Sequence, residues 1–153
     1  MQFLLVSTVA PLVIFFALPR LLKDTRSYRW LLLVACAVFM VSWLLPSPRI
    51  DGMQTEFVTH FVGGGVFTGL LWLYIKMVKN WRAAWWIEAA LLYTLVSSLG
   101  VLNELFEFVL YHLDLMPNGI FDTSWDLVAN TSGALLFYAS YQLIRYYARY
   151  RRD

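Results

Sequence analysis

Residues 57–77, FVTHFVGGGVFTGLLWLYIKM, form an apolar run interrupted by one imidazole, His60, and by the triplet Gly63-Gly64-Gly65. A helix of that length crosses ~30 Å of hydrocarbon. Four more apolar blocks flank it, at Phe3–Leu18, Trp30–Leu45, Ala83–His112 and Ser124–Tyr147. The first two are short, and the fourth is long enough to tilt or to project beyond one bilayer face.

The chain as a whole is 60% apolar and 14% charged, against about half and a quarter for a soluble domain. The blocks leave no room for a separate soluble unit. The expected fold is therefore all-α: one membrane-embedded domain over residues 1–153, a polytopic bundle of five transmembrane helices. Pro19, Pro46-Ser47-Pro48 and Pro117-Asn118-Gly119 mark the places where helices are expected to stop.

Charge sets the expected orientation. Arg20, Lys23, Arg26 and Arg29 follow the first block, and Lys76, Lys79 and Arg82 follow the third. Arg145, Arg149, Arg151 and Arg152 lie at the end of the chain, so eleven of the twelve Lys and Arg residues fall on one side of a five-span bundle. Only Arg49 lies opposite. The positive-inside rule makes that side cytoplasmic, giving N-out and C-in in a cytoplasmic membrane. The start Met1-Gln2-Phe3 lacks the basic segment of a cleavable leader, so the first block is expected to be retained as a span.

The net charge of +2 does not suggest nucleic-acid binding. The basic, tyrosine-rich run from Arg145 to Arg152 suits an interfacial anchor on anionic headgroups. The single Cys36 lies mid-span as a small packing residue.

Seven of the ten acids, Asp51, Glu56, Glu104, Glu107, Asp114, Asp122 and Asp126, map instead to the outer half or the outer loops. Acids contribute little to topology, so their clustering points to a shared site. Glu56 and His60 are spaced i,i+4 and share a helical face. Asn103, Glu104 and Glu107 can line one side of the fourth block. Asp122, Asp126 and Asn130 form a stripe at a spacing of four, flanked by the small residues Ala129, Gly133 and Ala134. The glycines of the third block let another backbone approach and would draw His60 toward its neighbours.

Carboxylates this close cannot all ionise without relief. A divalent metal held by His60, Glu104, Glu107, Asp122 and Asp126 would supply it. So would retained protons, which would make a relay, or pairing with His60 and Arg49 in a purely structural polar core. No HExxH, phosphate loop, nucleophile elbow or cysteine cluster selects a reaction.

At these residues the chain resembles the VanZ-like family of small bacterial membrane proteins. The similarity covers about residues 56–140 and rests on His60 with Gly63 to Gly65, on Glu104 with Glu107, and on Asp122…Asp126…Asn130…Gly133-Ala134. It departs from the family pattern at Glu107, where an amide is common, and in having no Arg before the Asp run. The resemblance implies a bacterial envelope role related to lipid or to resistance against glycopeptide antibiotics.

The functional expectation is an outward-facing site that binds the head of a lipid or lipid-linked envelope precursor, with His60, Asp122, Asn130, Asn103 and Glu56 as binding residues. If a reaction occurs there, hydrolysis or group transfer at the head is the natural class, with Glu107, Asp126 and Glu104 as catalytic candidates. A metal would polarise a phosphoryl or acyl oxygen, and Glu107 or Asp126 would take the proton. The alternatives are a proton-coupled transporter, for which so thin a bundle would need a homodimer, and a non-catalytic envelope or resistance factor.

Overall fold

Long apolar stretches have one cheap way to satisfy their backbone amides, and the chain takes it. The computed structural model describes residues 2–24, 28–50, 52–113 and 123–151. Among them are five helices: α1 (Gln2–Leu22), α2 (Arg29–Ser42), α3 (Phe57–Lys79), α4 (Trp85–His112) and α5 (Thr123–Tyr150). A two-residue antiparallel ladder, Arg49–Ile50 against Met53–Gln54, turns at Gly52 (φ 79°) between α2 and α3.

α3 and α4 are long and apolar enough to cross a membrane. The apolar parts of α1 and α2, Thr8–Leu22 and Arg29–Ser42, are shorter. α5 has the length, at 28 residues, but Asp126, Asn130, Thr131, Ser132 and Gln142 dilute its apolar character, and it does not join that pair.

One expected stop is misplaced. α1 runs through Pro19 and ends beyond it, where Lys23 adopts φ 52° and the Asp24 amide donates to the Pro19 carbonyl at 2.9 Å. A proline removes only its own N–H, so the backbone ends the helix at the left-handed residue rather than at the ring. Asn80 (φ 51°) ends α3 in the same way, its amide donating to the carbonyls of Lys76 and Met77.

α3 is the central helix. One face packs Phe67, Leu71 and Tyr74 on Leu31, Leu32 and Ala35 of α2. Another packs Trp72 on Leu92 and Val96 of α4 and on Ala134 and Tyr138 of α5. α4 is the least enclosed of the long helices, leaving Leu102, Leu105, Phe106 and Val109 exposed.

The start of α3 is held from outside. The Val58 amide donates to the Ser47 hydroxyl at 3.0 Å, and the Thr55 hydroxyl donates to the Pro48 carbonyl at 2.8 Å. These bonds tie the Pro46-Ser47-Pro48 turn to the helix that carries His60.

From His60 to Val66, α3 is wound as a π-helix, with the Phe67 amide reaching the carbonyls of Val62 and Gly64. Such segments are rare and concentrate at functional sites. Gly65, within this segment, and Gly133 of α5 face each other. A Cβ at Gly65 would strike the Asn130 carbonyl and the Ala134 amide, and a Cβ at Gly133 would strike the Phe61 carbonyl. The backbones of α3 and α5 therefore touch, and only glycine permits it.

Candidate polar site between α3, α4 and α5

The close approach at Gly65 and Gly133 brings the polar residues on either side of it together. His60, at the first π-helical position, is 8% exposed, while Asp126 and Asn130 on α5 are 2% and 4% exposed. His60 Nε2 lies 3.5 Å from Asp126 Oδ2. Glu104 of α4 completes a trio: one ligand atom from each of His60, Glu104 and Asp126 lies within 4.8 Å of the other two. Three helices thus place one imidazole nitrogen and two carboxylate oxygens around a common point. That donor set suits a divalent cation of borderline character, for which carboxylate and imidazole are both good ligands.

Of the other expected residues, Glu56, Asn103, Glu107 and Asn130 are among those described. Glu107 accepts a hydrogen bond from Asn103 Nδ2 at 2.7 Å, one helical turn along α4. Glu56 caps the start of α3, its carbonyl accepting the His60 amide at 3.0 Å. Asn130 packs over Gly64, where a Cβ would collide with its amide group. Its Oδ1 is buried and has no hydrogen-bond partner among the described residues. Asp122, expected both to bind and to ligate, lies outside the described residues, as does most of the Leu113–Thr123 connection.

A groove of about 940 Å³ opens beside the trio. His60, Asn103, Glu107 and Asn130 line it together with Thr59 and Ser42, and the rest of its wall is almost wholly apolar, from α1 through α4. Most of its polar groups come from the C-terminal end of α2, the N-terminal part of α3, the C-terminal half of α4 and the N-terminal half of α5, while Leu18, Leu21, Leu71 and Ile75 carry the apolar wall toward the opposite end.

Sequence reasoning misses a second polar cluster at that opposite end. Glu88 of α4, 1% exposed, is clasped by Lys76 of α3 and by Arg145 of α5, whose Nη1 lies 3.2 Å from Glu88 Oε2. The Tyr141 hydroxyl accepts from Lys76 Nζ at 2.9 Å, and the Tyr138 hydroxyl donates to the Trp85 carbonyl at 2.5 Å. The Lys76 ammonium also sits over the rings of Trp72 and Tyr141. One signal was available: Glu88 is an acid within the half of the bundle that carries the cations.

Comparison with protein-family models, with curated proteins and with solved structures finds no match to this chain.

Proposed function

We propose that the chain is a five-span protein of a bacterial cytoplasmic membrane, N-out and C-in, that holds the polar head of a lipid or lipid-linked envelope precursor at His60, Glu104 and Asp126. Two helices long and apolar enough to cross a bilayer, and the exposed apolar surface of α4, support the membrane setting. The observation that carries the reading is the junction of two unlike surfaces. A large apolar groove ends in polar groups that adjoin an imidazole–carboxylate trio in which His60 and Asp126 are buried and Glu104 is partly buried, and pockets for amphiphiles have that form, apolar walls with a few convergent polar groups.

In this reading His60, Glu104 and Asp126 would hold a divalent cation, which would neutralise the two carboxylates and polarise a phosphoryl or carboxyl oxygen of the head. Asn130 Oδ1 accepts from a hydroxyl or amide of the same head. Glu107, outside the trio but on the groove wall, is the carboxylate left to accept a proton if the bound head undergoes hydrolysis or transfer. The resemblance of residues 56–140 to the VanZ-like pattern points to the same envelope setting.

The test is to purify the protein from membranes in mild detergent and analyse a single sample for divalent metals and for retained amphiphiles by mass spectrometry, before and after chelation. The expected result is about one divalent ion per chain, with an amphiphile that is released when the ion is stripped. Retention of neither, or an amphiphile indifferent to the chelator, would overturn the proposal.

A further inference from the structure

The second polar cluster borders a pocket of about 490 Å³ at the end of the bundle remote from His60. Four cations line it: Lys76 from the end of α3, Arg82 from the α3–α4 connection, and Arg145 and Arg149 from α5. A single acid, Glu88, faces them, and it is already engaged by Lys76 and Arg145. Arg82 and Arg149 are exposed and have no ion-pair partner among the described residues. The pocket thus carries three positive charges beyond what Glu88 neutralises.

We infer that this pocket is a binding site for a phosphate-type oxyanion, with Arg82 and Arg149 as its principal ligands and with Lys76 and Arg145 pre-positioned behind them by Glu88. Guanidinium groups present forked donors that match phosphoryl oxygens two at a time, which an isolated surface lysine does not. Glu88 has a definite part. It fixes the Lys76 and Arg145 heads at one wall, lowering the ordering cost of binding, and it prevents four cations from repelling one another when the site is empty. Trp81 and Tyr28 in its lining give the pocket the amphipathic character that suits the headgroup level of a bilayer. A phosphodiester of an anionic lipid and a free phosphate present the same oxygens, and the test separates them. The inference does not depend on the His60 site.

The full chain is placed in phosphatidylcholine nanodiscs doped with phosphatidylglycerol, and bound lipid is read by native mass spectrometry, with inorganic pyrophosphate added in a parallel series. Phosphatidylglycerol is expected to be retained in preference to phosphatidylcholine, whose phosphodiester is masked by a choline cation that the arginines repel, and the Arg82→Gln, Arg149→Gln double variant is expected to bind it about tenfold more weakly, the loss of charge-assisted hydrogen bonds. Both arginines are exposed, so the variant should keep the wild-type thermal midpoint. Lys79→Gln removes a cation that lies outside the pocket, donating to the Leu22 carbonyl, and should change nothing. Displacement of the lipid by pyrophosphate would assign the site to the phosphoryl group from either source, whereas lipid binding that pyrophosphate does not disturb would assign it to the membrane. Equal binding by the double variant, equal loss in Lys79→Gln, or no preference over phosphatidylcholine would overturn the inference.

Discussion

Asp126 and Glu107 are both carboxylates on the polar sides of adjacent helices, yet their surroundings give them different work. Asp126 is buried beside His60, while Glu107 is only partly buried and takes its hydrogen bond from Asn103. If the trio holds a metal, Asp126→Asn should abolish divalent retention, because an amide oxygen lacks the charge that offsets the ion's desolvation. The shape is conserved, so the stability change should stay within about 1.5 kcal/mol. Glu107→Gln should retain the ion, because its amide oxygen still accepts from Asn103. Metal content after dialysis decides the matter, and equal loss in both variants would place Glu107 inside the ligand set. The spacing of α4 left this choice open. Glu104 and Glu107 are i,i+3 and share a face, and only the rotation of α4 against α5 aims Glu104 at Asp126. In contrast, the Asp126–Asn130 stripe was legible because its period matches a helix turn and both side chains are buried on the face turned toward α3.

The helices themselves were readable, since α2, α3, α4 and α5 begin and end within about three residues of the apolar blocks, the usual margin for boundaries read from sequence. The π-winding of α3 was not, because no residue period in the sequence marks it. Gly63 to Gly65 announced a close neighbour but not the winding of the turn that carries them. The Glu88 cluster was hidden for a related reason, since Lys76, Glu88 and Arg145 come from three helices and share no sequence period. The contact between α3 and α5 yields its own prediction. Gly65→Ala drives a Cβ into backbone atoms of Asn130 and Ala134, which cannot rotate away, so α5 must shift at a cost of about 1–3 kcal/mol. Gly100→Ala meets only the ends of side chains, Leu127 Cδ2 at 3.2 Å and Asn130 Nδ2 at 3.3 Å, and should cost under about 1 kcal/mol. Reversible unfolding in detergent mixtures measures both. Because the same shift moves Asp126 relative to His60, Gly65→Ala should also weaken metal retention, while Gly100→Ala should not.

Across the whole molecule, the open question of α5 reduces to counting crossings. Gly52 lies in the turn between α2 and α3, and Arg151 follows α5, so three helices separate them. If α3, α4 and α5 all cross the membrane, the two positions face opposite sides. If only the two strongly apolar helices cross, they face the same side. α5 is less apolar than α3 or α4, but its buried face carries its polar residues, Asp126 and Asn130, toward α3 and α4, while Val128, Leu135, Leu136, Leu143 and Ile144 are exposed. A helix arranged that way can enter hydrocarbon, because the cost of its polar groups is met inside the bundle. With Cys36 replaced by Ala, Gly52→Cys and Arg151→Cys are each tested with a membrane-impermeant maleimide on intact cells. The five-span, N-out arrangement requires labelling at position 52 from outside and at position 151 only after the cells are opened. Labelling of both positions from the same side would remove α5 from the membrane. It would also leave the polar site at a water interface, where an amphiphile's head could bind but the bilayer would no longer enclose it.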